Sequence, residues 1–257
     1  MSNNDPSSVL NSKCIEEVTF VLTGFGKFGN ITENPTTTLI RRIVTLMNEN
    51  DGDGGNNISM CKIIKTAASN ITNDLDDIII HTINLEESIS CQRNKHIVFI
   101  HLGVDYKANT FKLETTAYNE ASFRIPDEDG FQPKKQQIDG SLPIHERLVT
   151  DLNVRKICND MINRGFNVKI SGDCGRFVCN YLYWSSLNRI KEFKSNSEAQ
   201  AMVHSMFVHV PLFTVIDEDT QLKFIQGLLD SIKKEIQTTR KKKTGRQRKA
   251  NIQEDKT

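Results

Sequence analysis

Residues 96–102, His-Ile-Val-Phe-Ile-His-Leu, are apolar almost without interruption and end at Gly103. A strand with one face in water alternates polar and apolar side chains, so this run requires a strand buried on both faces. Such a strand needs helices on each side of its sheet, and the chain supplies strand and helix signals in alternation. Residues 18–23 and 58–64 read as strands. Between them Asn34 as N-cap and Pro35 as first helical residue open a helix whose apolar face is Leu39, Ile40, Ile43, Val44 and Met47. A mostly helical segment covers residues 70–92, and residues 111–118 alternate weakly, as a strand at the sheet's margin would. Val154, Ile157, Cys158, Met161 and Ile162 form a helical stripe stopped by Gly165. Strands at 166–170 and 205–210 follow, and Asp217 caps a last amphipathic helix through Leu222, Ile225, Leu229, Ile232 and Ile236. The expected fold is α/β, a three-layer α/β/α sandwich with a mostly parallel, mixed central sheet.

Charge and cysteine usage narrow the function classes. Lys and Arg number 33 against 32 Asp and Glu, a net charge of +1, so no global field draws the chain to nucleic acid or to a membrane surface. No apolar run approaches the ~18 residues of a membrane span. Cys14, Cys61, Cys91, Cys158, Cys174 and Cys179 are scattered without Cys-x-x-Cys pairs, which argues against a zinc site and against a secreted disulfide framework. No metal and no cofactor is expected, and the cytoplasm is the expected compartment. Residues 1–16 read as a flexible N-terminal segment with neither signal-peptide nor transit-peptide character. Residues 17–237 read as a single catalytic domain, and 238–257 as a basic, disordered tail with Arg240, Lys241, Lys242 and Lys243. Residues 191–200 read as a charged surface insertion. The acidic loop Asp51-Gly52-Asp53-Gly54-Gly55-Asn56-Asn57 lacks the glutamate that closes a calcium loop and reads as a solvated connector.

The stretch Ser171-Gly172-Asp173-Cys174-Gly175-Arg176-Phe177-Val178-Cys179-Asn180 joins a strand signal to a helix signal through a glycine turn. That geometry presents a side chain near a helix N-terminus, where the dipole favours a thiolate. Cys179, about one turn into the expected helix, is the candidate nucleophile. A cysteine nucleophile needs a base, and the base an orienting group. His209 ends a strand immediately before Val210-Pro211 and is the candidate base. His101 lies inside the most apolar run and reads as a core histidine satisfied by backbone, while His81, His96, His145 and His204 read as surface or structural. Glu114 stands out in an uncharged, Thr-rich run, although spacing alone does not single it out as the orienting acid. Gly24-x-Gly26-x-x-Gly29 after a strand also matches a dinucleotide fingerprint, which makes a Rossmann-like nucleotide-binding protein the alternative. In that fold the helix begins within the glycine turn, whereas here its start is Asn34-Pro35, several residues later. Phe25 and Phe28 at the variable positions suit a flat apolar ligand better than a phosphate.

Taken together, Gly24-Phe25-Gly26-Lys27-Phe28-Gly29 with Asn34-Pro35, Glu114-Thr115-Thr116-Ala117-Tyr118-Asn119, Arg124-Ile125-Pro126-Asp127 with Gly130-Phe131-Gln132-Pro133, Asp173-Cys174-Gly175-Arg176-Phe177-Val178-Cys179-Asn180, and Phe207-Val208-His209-Val210-Pro211 occur in one order. That series resembles the motif blocks of the pyroglutamyl peptidase I (pyrrolidone carboxyl peptidase) family of cysteine peptidases, over about residues 18–236. The resemblance implies Cys179 as nucleophile, His209 as base and acid, Glu114 as the acid orienting His209, and Arg124 beside the oxyanion. It also implies an apolar pocket for a pyrrolidone ring from Phe25, Phe28, Ile125, Phe177 and Val178, with Asn34 at its edge. The implied partners are peptides with an N-terminal pyroglutamate, which the chain would hydrolyse as an exopeptidase or, as a non-catalytic relative, only bind. Lys27, Cys174 and Val104-Asp105-Tyr106-Lys107 depart from the common family pattern. Oligomeric state is left open by these residues.

Overall fold

The computed structural model describes residues 16–29, 34–49, 56–89, 95–196 and 202–254. Six strands form the central sheet: β1 (Glu17–Phe25), β2 (Asn57–Ile64), β3 (Lys95–Val104), β4 (Phe111–Glu114), β7 (Val168–Ser171) and β8 (Met202–Val210). Their order is β2-β1-β3-β8-β4-β7. The pairs β1·β2, β1·β3, β3·β8 and β4·β7 are parallel, and β4·β8 is antiparallel. A separate two-stranded ladder joins β5 (Thr116–Tyr118) to β6 (Arg147–Val149).

The helices are α1 (Pro35–Glu49), α2 (Ala68–Ile89), α3 (Val154–Asn163), α4 (Val178–Asn196) and α5 (Glu218–Glu254). Side-chain alternation along the central strands sorts them into two layers. Val98, Ile100 and Leu102 of β3 pack with Leu39 and Ile43 of α1, Ile157 and Met161 of α3, and Leu228 and Ile232 of α5. Ile97 and Phe99 pack with Ile71 and Leu75 of α2 and with Leu182 and Trp184 of α4. Nine of the ten positions of β3 are buried, which is the two-sided burial its sequence requires. The mixed α/β/α sandwich is therefore as expected. None of the helices, among the described residues, is long and apolar enough to cross a membrane.

Helix ends follow local chemistry. Asn34 Oδ1 accepts the Thr36 N–H at 3.0 Å, and α1 starts at Pro35. Asp217 Oδ1 accepts the Thr220 N–H at 2.9 Å at the head of α5. At the end of α3, Gly165 N–H donates to the Ile162 carbonyl and Phe166 N–H to the Met161 carbonyl, closing that helix as its glycine predicts.

Several expectations are corrected. Residues 111–118 are not one marginal strand. β4 sits inside the sheet between β8 and β7, and the chain then leaves it, so that Thr116–Tyr118 pair with β6. Weak alternation misplaced β4 because β4 is short and Phe111, Leu113 and Glu114 are all buried. β7 runs opposite to β1, β3 and β8, so the cysteine stretch does not leave the sheet at the end where those strands finish. Residues 191–196 are the last turns of α4, and 197–200 lie outside the described residues. The backbone of α5 is helical to Glu254, and its apolar stripe ends near Ile236. Residues 1–15 and most of the Asp51–Asn57 loop also lie outside the described residues.

The approach of α1 to β1 makes a direct test. A β-carbon at Gly24 would lie 2.8 Å from the Thr36 carbonyl oxygen and 2.9 Å from Ile40 Cγ1. Backbone cannot yield as a flexible side chain would, so Gly24→Ala is expected to destabilise by about 1–3 kcal/mol. A denaturant midpoint equal to that of the wild type would refute this contact.

Candidate active site

Three segments meet at the carboxyl ends of β3 and β8. β3 and β8 place Gly103 opposite His209 in parallel register. β4 lies antiparallel on the other side of β8, with Lys112 opposite His209 and Glu114 opposite Phe207. Because β8 and β4 share a ladder, Glu114 reaches the imidazole two positions away. Glu114 Oε1 and His209 Nδ1 are 2.8 Å apart, with Glu114 fully buried and His209 nearly so.

Cys179 approaches from α4, which packs on the sheet face that Phe207 lines. It is the second residue of α4, nearer the helix start than the full turn expected from sequence. The N–H groups of a first helical turn lack intrahelical partners, so α4 directs donors and partial positive charge toward its own sulfur. A β-carbon at Gly103 would fall 2.6 Å from Phe207 Cζ and 3.0 Å from Cys179 Sγ, so only glycine lets the sulfur come this close to β3. Cys179 is half-buried and therefore reachable from solvent.

Asn180 fixes the head of α4. Its Oδ1 accepts the Tyr118 N–H at 2.9 Å, and its Nδ2 donates to the Tyr118 and Glu120 carbonyls, both at 2.9 Å. The side chain thus pairs with β5 as a neighbouring strand would. Tyr183 adds a second tie, its hydroxyl donating to the Glu114 carbonyl at 3.0 Å. Cys179 and Glu114 are thereby braced against each other through one helix.

Burial alone would push the His209 pKa down. Its hydrogen bonds to Cys179 and to Glu114, with the charges of both, outweigh that and raise it to about 9. His209 therefore sits as an imidazolium between two groups that favour its positive charge. His101, two strands' width from any carboxylate in this cluster, behaves in the opposite way. Complete burial drives its pKa down to about 3. Its ring is held by Thr23 Oγ1 and Ser186 Oγ, both at 2.8 Å, so its partners are hydroxyls and not the backbone expected from sequence.

An aromatic wall runs up to the head of α4, where Phe177 precedes Val178 and Cys179. Phe28 meets Phe177 edge-on at 5.1 Å, Phe177 meets Phe123 at 4.6 Å, and Phe123 meets Phe131 at 5.7 Å. Phe28 and Phe177 are thus brought together as expected, while Phe123 and Phe131 were missed. Their only sequence signal was aromatic character beside the turn-rich loop. Phe25 and Val178 are buried in the core layer behind this wall. Asn34 is buried and donates to the Gly26 carbonyl at 2.9 Å, so it shapes the glycine loop. Ile125 is 53 % exposed. Arg124 is exposed, and its Nη2 reaches the Tyr106 hydroxyl at 3.4 Å.

The glycine loop is latched from across the wall, since Gly29 N–H donates to Glu128 Oε1 at 2.7 Å. Asp127 supports the latch by accepting the Ala68 N–H at the head of α2 and the N–H groups of Asp129 and Phe131. Neither role was visible in sequence, because both acids read as loop residues. The alternative nucleotide reading loses its physical basis here. Asn34 Oδ1 already occupies the Thr36 N–H at the head of α1, and Gly26 N–H is given to the Ile64 carbonyl. Cys174 is buried against the Thr116 carbonyl and Asn180 Oδ1, and burial holds its thiol well above the usual range.

Comparison with known proteins bears on the family and the fold. The pyroglutamyl peptidase family model matches residues 18–238. A pyrrolidone-carboxylate peptidase of Thermococcus litoralis is 26% identical over 191 residues, covering 74% of this chain and 75% of that protein. One from Bacillus subtilis is 32% identical over 98 residues, 38% of this chain and 42% of that protein. The crystal structure of pyroglutamyl peptidase I from Bacillus amyloliquefaciens superposes with a TM-score of 0.67 at 20% identity, covering 86% of this chain and 98% of that one, which shows a shared fold. With a family match that spans every element from β1 into α5, the chain belongs to the pyroglutamyl peptidase family of cysteine-type peptidases.

Proposed function

We propose that this protein removes N-terminal pyroglutamyl residues from peptides through an acyl-enzyme formed on Cys179, with His209 and Glu114 completing a triad. The observation that carries this reading is the imidazole of His209, bonded to Glu114 at 2.8 Å and held protonated by Cys179 together with that carboxylate. A histidine held protonated beside a half-exposed sulfur supports a thiolate–imidazolium pair.

In the proposed reaction the Cys179 sulfur attacks the carbonyl carbon that joins pyroglutamate to the next residue. The carbonyl π electrons move onto oxygen, where first-turn N–H groups of α4 stabilise the charge. Collapse of this adduct breaks the C–N bond, and His209 gives its proton to the departing amine. The now neutral imidazole takes a proton from water, whose oxygen attacks the thioester and releases pyroglutamate. The sulfur leaves as thiolate beside the reformed imidazolium. Glu114 holds the ring in place and stabilises its charge in both half-reactions.

Substrate choice follows from the wall of Phe28, Phe177 and Phe123. A pyrrolidone ring is flat and uncharged, so it can bury its faces there. An ordinary N-terminus would bring an ammonium into an apolar slot, where desolvation opposes binding. Arg124 is assigned to the mouth of the site, with an electrostatic part in stabilising the adduct.

Three outcomes are expected. Cys179→Ser should lower hydrolysis of a pyroglutamyl-coumarin substrate by roughly a thousandfold or more while leaving the thermal midpoint near that of the wild type; retained turnover would remove the nucleophile assignment. Because the His209 pKa is raised, its protonated form is the stabilised one, and the proton needed by the leaving amine is lost as pH rises through about 9. The kcat/KM profile should therefore fall on the alkaline side near pH 9, and in Glu114→Gln that limb should move to lower pH; identical limbs in the two proteins would refute the orienting role. Phe177→Ala should raise KM roughly tenfold with a smaller change in kcat, as steady-state kinetics would read.

A further inference from the structure

At the mouth of the site lies a small cationic surface, of which the reaction above uses Arg124 alone. β3 runs past Gly103 into Asp105, Tyr106 and Lys107. Asp105 N–H donates to the Val210 carbonyl at 3.0 Å, which fixes this loop next to the end of β8 and His209. Tyr106 is 51 % exposed. Arg124 reaches its hydroxyl at 3.4 Å, and the Lys107 ammonium stands 5.5 Å from its ring centroid. Arg124 comes from the other flank of the cleft, since its neighbour Phe123 packs on Phe177 just before the nucleophile. The Tyr106–Arg124 contact therefore joins the two flanks at the mouth.

The charges here are unbalanced. Asp105, the acidic group of this loop, is committed to Lys112, whose ammonium lies 2.5 Å from Asp105 Oδ2. Lys112 and the nearby His209 hold that carboxyl below its usual range, against the burial that would raise it. Among the described residues neither Lys107 nor Arg124 forms an ion pair. On the far flank, Glu128 is bonded to Gly29 and Asp129 to Lys65 and Ser69. The two free cations flank one phenol, whose pKa the Arg124 hydrogen bond pulls down despite some desolvation.

The position of this surface follows from the proposed chemistry. With the pyrrolidone ring against Phe28 and Phe177 and its carbonyl at Cys179, the leaving amine must face His209. The residue attached to that amine then emerges over the Asp105–Lys107 loop. We propose that Lys107 and Arg124, gathered by Tyr106, make the leaving side of the site select peptides with an acidic residue directly after the pyroglutamate. This assignment rests on the pyroglutamyl reading and names the peptide class within it.

Exposed charges act weakly and are screened, so the expected preference is moderate and depends on salt. The test compares two C-terminally amidated peptides that differ only in Asp or Lys after the pyroglutamate. The wild type is expected to favour the aspartyl peptide by roughly fivefold or more in kcat/KM at low ionic strength, mostly through KM, and the ratio should approach one near ~0.5 M salt. Lys107→Glu should remove or invert the preference, while a third, uncharged peptide with Ala at that position is hydrolysed at the wild-type rate. Equal rates on the two peptides, or a preference indifferent to both salt and Lys107→Glu, would overturn the proposal. The same ratio measured as Kd on Cys179→Ser separates it from the reading beneath. A charge preference in binding without hydrolysis by the wild type sinks only the catalytic reading, hydrolysis without preference sinks only this one, and neither binding nor hydrolysis sinks both.

Discussion

A carboxylate with no exposure to water, bonded to an imidazole through one of its oxygens, is the constraint around which this protein is arranged. Glu114 Oε1 holds His209, while Oε2 has no hydrogen-bond partner among the described residues. Burying an incompletely paired carboxylate is costly, on the order of 1–3 kcal/mol for the unpaired oxygen. The cost is offset only if a cation stays beside it, and His209 supplies that cation. The antiparallel join of β4 to β8 is what makes the pairing possible. In an all-parallel sheet a strand in this place would finish beside β8's own end, and its acid would stand near the mouth, not beneath the ring.

Three further features serve that pair. The absence of a side chain at Gly103 lets Cys179 approach β3, Asn180 locks the helix that carries the sulfur to β5, and Tyr183 ties the same helix to the backbone of Glu114. These ties come from different layers, so the site is a product of how α4 packs on the sheet. The turn-rich loop after β5 adds the last component. Glu128 and Asp127 use their carboxylates on backbone N–H groups, which pins the aromatic slot without placing free negative charge beside the neutral ring it is proposed to receive.

At the other ends of β3 and β8 a second polar cluster uses the same acid and histidine residue types. Glu16 meets His96 at 3.1 Å, His96 meets His204 at 2.9 Å, and His204 meets Asp151 at 2.8 Å, with Lys194 on the same aspartate. Two histidines stacked at 5.2 Å between carboxylates satisfy one another and close that end of the sheet. Sequence separated His209 from His96 and His204 by its strand-end position and its motif block, but it did not show which groups each ring would meet, because a histidine's partners come from neighbouring strands.

The sequence by itself determined the layered architecture, the helix starts at Asn34-Pro35 and Asp217, and the ordered motif blocks that hold Cys179, His209 and Glu114. These are local or additive properties: apolar period, capping chemistry and residue order can be read along a chain. Only the tertiary structure decided that β4 lies inside the sheet and runs against β8, that His101 is satisfied by Thr23 and Ser186, and that Phe123 and Phe131 extend the aromatic wall. It also decided that Asp127 and Glu128 are fasteners and that Arg124 meets Tyr106 across the mouth. Each of these depends on which distant segments become neighbours, and a strand's direction or a side chain's partner is fixed by pairing and packing energies that no single stretch of residues contains.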